Sequence, residues 1–272
     1  MPKKLPIVTE AYLKAVSLPN HASSYTVISH GFIIDTVKQA LRNTGLAITD
    51  EKYVISDIGQ VALGSYTLKN PNDSELDFVF NWINSYNKKI RFGCVIGASN
   101  STYKSYYIPG NVSSWVRKHT GTADQEASQT IVDQIGLMDT YYNNVLADRA
   151  LLKNIPITAE ERGSILGNLY FEKEHLNRDQ ASVIIKNIND PNMLTSDNLW
   201  NLYTHVSIVL KNAHPLDWIH DHTEVHNYLK NFAVNKLQTG LVQNDQLPGQ
   251  LNLFEETPDL VSGEEVNQFY EL

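Results

Sequence analysis

The hydrophobic period changes near residue 123, and that change limits what this chain can fold into more than any other feature. Before it, apolar residues sit in short alternating runs bounded by turn residues, the pattern of half-buried strands. After it, they recur every three or four positions, as on one face of a helix. In the first part, Tyr53-Val-Ile, Val61–Leu68, Leu76–Ile83, Ile90–Ala98 and Tyr103–Ile108 read as strands. Asn-Pro-Asn-Asp at 70–73 is a turn, and the segment 84–89 closes a hairpin. Residues 1–28, which include Tyr25-Thr-Val-Ile, predict a lead-in segment and one short strand. Ser29 is placed to cap a helix carrying Phe32, Ile33, Val37, Ala40 and Leu41 on one face, with Gly45 at its end.

In the second part, Ile131, Ile135, Met138, Tyr142 and Leu146 form one stripe of a long helix. Thr158-Ala-Glu-Glu161 is a capping box that opens a second helix, and Arg178–Ile188 makes a third. Ser196 is expected to cap a fourth through Leu199, Trp200, Tyr203 and Val209, ended by His214-Pro215. The last runs from about Asp221 to Lys236. The expected class is α+β: an N-terminal helix with an antiparallel sheet over 1–122, a mostly helical half over 123–236, and a disordered acidic tail over 237–272.

Within the sheet half, the stretch from Phe78 to Ala123 contains no Asp or Glu. It holds six cations (Lys88, Lys89, Arg91, Lys104, Arg117 and Lys118) among nine aromatics, which include Tyr86, Phe92, Tyr103, Tyr106 and Trp115. Cations neutralise phosphates and aromatic faces stack on unpaired bases, so the mixture suits single-stranded nucleic acid. It equally suits a twisted sheet with an aromatic core and a solvated basic rim. Alternation along a strand sends neighbours to opposite faces, so some of these aromatics must be core.

The net charge of −8 looks unsuited to a nucleic-acid partner until it is divided. Residues 237–272 carry seven acids and no Lys or Arg, which leaves the remaining 236 residues at −1. Acidic tails of this kind are interaction segments or solubilising disorder. The single Cys94 excludes an internal disulfide and any multi-cysteine metal site, and suits a reducing cytoplasm. No apolar run approaches the ~18 residues of a membrane span, and no apolar signal region follows Met-Pro-Lys-Lys.

Beyond Lys236 the composition turns to Gln, Asn, Gly and Pro, and within that tail lies Gln250-Leu251-Asn252-Leu253-Phe254. This resembles the peptide with which bacterial and phage DNA-metabolism proteins dock on the β sliding clamp. The resemblance implies that Gln250 hydrogen-bonds at a pocket edge while Leu251, Leu253 and Phe254 act as apolar anchors. The same segment could instead pack back on its own domain.

His205, His214, His220, His222 and His226 form a group, in which His220, His222 and His226 can be drawn as a metal site and His222 with His226 has the i, i+4 geometry. No recognised base accompanies them, and structural histidines are the stronger reading. There is no Gly-x4-Gly-Lys-Ser/Thr loop for ATP and no Gly-x-Ser-x-Gly nucleophile context. No cofactor is implied, and the sequence makes no positive case for an enzyme.

Three segments resemble a phage- and plasmid-encoded domain family of unknown function: the run from Asn84 to Gly93, Trp115-Val-Arg-Lys-His-Thr-Gly121, and Leu199-Trp-Asn-Leu-Tyr-Thr-His205 with the histidine-rich helix that follows. Departures from that family are Gly97-Ala-Ser-Asn100 and Thr204-His-Val-Ser207. A helix beside a small antiparallel sheet is also similar to the core of single-strand annealing proteins, a fold-level analogy. Together these features predict an oligomeric single-stranded-DNA-binding, annealing-type accessory of phage recombination or replication, in the cytoplasm of a bacterial host and tethered to the sliding clamp. Two rivals stand beside it: a non-enzymatic phage inhibitor or anti-defence protein acting by protein contact, and a metal-dependent nuclease using the histidines.

Overall fold

The computed structural model describes residues 5–19, 27–90, 92–109, 114–117, 123–195 and 197–243. Packing divides the chain into Met1–Asn235 and Lys236–Leu272. The first unit is α+β.

Among the described residues its sheet has seven strands: β1 (Ile7–Val8), β2 (Ile48–Ser56), β3 (Val61–Leu68), β4 (Leu76–Ser85), β5 (Phe92–Asn100), β6 (Tyr106–Tyr107) and β7 (Ser114–Arg117). Every pairing is antiparallel, and β1 to β5 lie side by side in chain order. β6 and β7 share the outer edge of β5, β6 against Ala98–Ser99 and β7 against Phe92–Val95. The helices are α1 (Glu10–Ala15), α2 (His30–Asn43), α3 (Ala123–Gly136), α4 (Met138–Lys153), α5 (Ala159–Gly167), α6 (Arg178–Ile188), α7 (Leu199–Leu210) and α8 (Trp218–Gln243).

Both faces of the sheet are covered. One face carries Tyr53, Tyr66, Phe78, Phe80, Trp82, Phe92 and Cys94 into the main core, where Ile33, Val37 and Leu41 of α2 and Ile131, Ile135 and Val145 of α3 and α4 meet them. The other carries Val54, Leu63, Val79, Ile83 and Val95 into a smaller core closed by Ile108, Trp218 and Ile219. That is why all ten residues of β4 are buried: a central strand sandwiched on both sides has no solvent face. The largest ring needs a gap opposite it, and Gly64 provides one. A Cβ there would lie 2.2 Å from Trp82 Nε1.

Local signals place the helix ends. Ser29 Oγ accepts from Phe32 N, and Gly45 follows α2 at φ 75°. The Thr158–Glu161 capping box is complete in both directions. α7 is buried almost all round, its mostly apolar sequence taking Thr204, His205 and Ser207 inside with it. α1 and α2 are tied by Glu10, which pairs with Lys14 and Lys38, and Lys38 also reaches Glu51 of β2.

Several expected elements differ. The single long helix is two, broken at Leu137 (φ −94°, ψ 9°) directly after Gly136, the weakest helix former in the run. The stripe survives the break, because Ile135, Met138 and Tyr142 still enter one core. Asn198 caps α7 through Asn201 N; Ser196 lies outside the described residues. That helix ends at Leu210, before His214-Pro215. Residues 1–28 contribute β1 and the unpredicted α1, whereas Tyr25 lies outside the described residues. The last helix starts at Trp218 and continues past Lys236, where order was expected to end, to Gln243. Among the described residues, no helix is long and apolar enough to cross a membrane.

Candidate nucleic-acid interface

The aromatic–basic stretch does not form one surface. Its rings go mostly inward. Phe92 is fully buried, and Tyr86 is 5% exposed, with its ring stacked 4.0 Å from His30 and its hydroxyl accepting from His30 N at 2.8 Å. Neither has a ring face left to stack a base, which corrects the expectation for both. Phe78, Phe80, Trp82 and Tyr107 are core as well. Tyr106 is half-buried, edge-on to Trp218 at 5.5 Å and to His222 at 6.0 Å. Tyr103 is half-exposed in the turn after β5. The backbones of Trp115 and Arg117 lie in β7, opposite Cys94 and Phe92. Arg91 and Lys118 fall outside the described residues, as do Gln250, Leu251, Leu253 and Phe254.

The cations divide between the two ends of β5. Lys88 and Lys89 are exposed in the turn before it, and Lys89 Nζ bonds Asp57 at 2.7 Å. Lys104 is exposed in the turn after it, where the Asn100 side chain accepts from Thr102 N and Tyr103 N at 2.9 Å each. A strand of this length sets the two turns about 30 Å apart. Neighbours in sequence are therefore not neighbours in space.

The fold assembles a different cluster. Lys211, just beyond α7, feels the charges of two lysines from other segments, Lys52 of β2 and Lys104. Burial, and then the positive charges of Lys52 and Lys104, lower the pKa of Lys211. Lys14, Lys38, Lys69, Lys89, Lys153 and Lys230 each pair with a carboxylate. Among the described residues, no carboxylate pairs with Lys104 or Lys211.

Lys211 also lines a cleft of about 410 Å³ with Asn177, Gln180, Asn212 and His214, where Asp179 is the one acid. From there His214 acts on Asp57, whose carboxyl is held low first by Lys89 and in smaller part by His214. A larger cleft of about 460 Å³, between Asn43, Asn72, Val132 and Met138, contains no Lys or Arg and is a poor phosphate site.

Inward of Lys52, the sheet register continues through Ser65 to Asn81. Asn81 is fully buried and neither of its side-chain amide atoms has a hydrogen bond. His222, under Tyr106 and Trp218, is equally buried with both ring nitrogens unbonded, and burial pushes its pKa down to about 3.

The remaining histidines have separate structural roles. His226 Nε2 meets Asp148 at 2.9 Å and Nδ1 meets the Tyr203 hydroxyl at 3.1 Å. Burial opposes the Asp148 charge, but His226 and Lys230 outweigh it and hold that carboxyl below its ordinary range. His205 Nε2 bonds the Leu194 carbonyl, and burial lowers its pKa. His220 packs against His175, which bonds Asp221. His220, His222 and His226 are not gathered around one point, and among the described residues no three metal-ligating side chains are. The i, i+4 spacing is real, but each ring faces a different neighbour.

Lys52 and Lys211 carried no sequence signal. Lys52 is an ordinary strand residue, and Lys211 reads as the usual cation at a helix C-terminus. No family model matches the chain, and no similar curated protein or solved structure is found.

Proposed function

We propose that this protein binds single-stranded nucleic acid, single-stranded DNA by the reading of its sequence, along the face that carries Lys104, Lys52 and Lys211. The observation that carries this reading is that Lys52 and Lys104, from two distant segments, both act on Lys211, while among the described residues no carboxylate pairs with Lys104 or Lys211. Like charges held together cost free energy in the free protein, and a polyanion returns it. Tyr103, half-exposed beside Lys104, offers a ring for base stacking. Phosphate contacts made through lysine ammonium groups read no sequence, which suits an accessory that coats or anneals strands. Annealing needs contacts along a length of strand and so favours an oligomer. The Gln250–Phe254 peptide supports delivery of that assembly to a sliding clamp.

The test is fluorescence anisotropy of a labelled single-stranded oligonucleotide across a salt series. These three lysine–phosphate contacts alone contribute about −2 to the slope of log K against log salt, from ~0.7 per phosphate on a single strand. Replacing Lys104 and Lys211 together by Ala should flatten that slope by about 1.4. Absence of binding at low salt, or an unchanged slope in the double variant, overturns the proposal.

A further inference from the structure

The turn from β2 to β3 places an aliphatic side chain where folding alone has no use for it. Asp57, Ile58 and Gly59 have φ of 50°, 56° and 84°. Left-handed backbone suits Gly59, but it is unfavourable for a β-branched residue such as Ile58. Nor does Ile58 gain burial in return. It is 89% exposed, the most exposed large apolar side chain among the described residues.

The surroundings hold this conformation in place. The Asp57 carboxylate accepts from Asn87 Nδ2 at 2.9 Å and Lys89 Nζ at 2.7 Å. The Gly59 carbonyl accepts from the buried His30 Nε2 at 3.0 Å, and Tyr86 N donates to the Gln60 carbonyl at 2.7 Å. Gly59 itself leaves no room for a side chain against Tyr12 of α1 and Val16, which caps that helix. A backbone conformation that is unfavourable locally but fixed from several sides is the form that functional strain takes. A single exposed aliphatic residue would ordinarily need no explanation. This one is strained, anchored and set beside two cations, Lys88 and Lys89 of the neighbouring β4–β5 turn. Counting Asp57 and Arg91 as well, the sequences of the two turns sum to two net positive charges.

We infer that Ile58 is an apolar wedge that enters the base stack of a bound nucleic-acid strand, with Lys88 and Lys89 against the flanking phosphates. The inference rests on the nucleic-acid reading proposed above. A strand presents flat apolar base faces a few ångströms from its phosphates. A rigid aliphatic tip beside ammonium groups matches that alternation, and aliphatic side chains are known to part stacked bases. Docking exchanges the Asp57–Lys89 pair for a Lys89–phosphate pair.

The experiment uses the full chain and an adenine-rich single strand containing one 2-aminopurine, whose emission rises when it is unstacked. Ile58→Gly accepts the left-handed backbone without strain, so it removes the wedge and leaves the turn. Ile58→Leu keeps an aliphatic tip. Wild type and Ile58→Leu should raise emission severalfold on binding. Ile58→Gly should bind with the same salt slope in anisotropy, melt no lower than wild type, and give no rise. Binding by wild type without a rise, or an equal rise with Ile58→Gly, overturns the wedge and leaves the phosphate contacts standing. No anisotropy change for any of the three at low salt overturns both readings.

Discussion

Replacing His222 by Phe tests the packing of the smaller sheet face through a quantity that geometry supplies. The imidazole is fully buried, sits 4.2 Å from the Trp218 ring centroid and hydrogen-bonds through neither nitrogen. Burial outweighs the Leu210 carbonyl, which favours the charged form, and pushes the pKa from the ordinary 6.5 down to about 3. Between those two values the unfolded chain binds a proton that the folded chain does not, so wild-type stability falls as pH falls through that window. Above about 6.5 the residue contributes no pH dependence, and below about 3 its penalty is complete. At 1.36 kcal/mol per pKa unit, moving from pH 7 to about 4.5 costs wild type roughly 3 kcal/mol through this one ring. The Phe variant cannot lose that amount. Urea unfolding of both proteins at the two pH values gives the quantity needed: the variant's stability relative to wild type should grow by roughly 3 kcal/mol at the lower pH. Constant packing differences cancel in that comparison, as do the other histidines, which both chains share. A stability gap that is the same at both pH values would refute the reasoning, because the folded protein would then accommodate a proton on His222.

Two further outcomes test the core. Gly64→Ala puts a methyl group 2.2 Å from the Trp82 indole nitrogen, and denaturant titration should register a loss of at least about 3 kcal/mol; a loss below about 1 kcal/mol would mean that the ring is not seated there. Cys94 is buried and its thiol is pushed up by desolvation, so a thiol reagent at mildly alkaline pH should label the protein only after unfolding, and rapid native labelling would contradict the position of β5.

The class, the change from strands to helices, the bounds of α2 and α6 and the start of α5 were legible because they depend on short-range physics. Side-chain period, the Ser29 cap and the Thr158–Glu161 box act within a few residues of themselves. Their outcome does not wait for the rest of the chain. Failures began where a local preference was nearly balanced, as at Gly136-Leu137, where one weak helix former was enough to split a continuous apolar stripe.

The candidate surface was less legible, for a reason visible in β4 and β5. Composition shows that a segment is rich in rings and cations, but it does not say how many faces of the sheet are covered. Had the face that carries Phe80 and Phe92 been open, those rings would have met solvent; helices α2, α3 and α4 cover it instead. Trp218 and Ile219, more than a hundred residues away, close the second face, because two apolar sheet faces each require a partner. The cations followed the same logic in reverse. Lys88 and Lys104 are close in sequence and separated by the length of a strand, whereas Lys52 of β2 and Lys104 after β5 both act on Lys211 at the end of α7. What the sequence determined by itself was periodicity, capping and the division of charge between body and tail, all of which are properties of residues and their near neighbours. Which rings are buried and which charges meet was decided by the tertiary structure alone, because burial and Coulomb energy depend on distances that chain separation does not set.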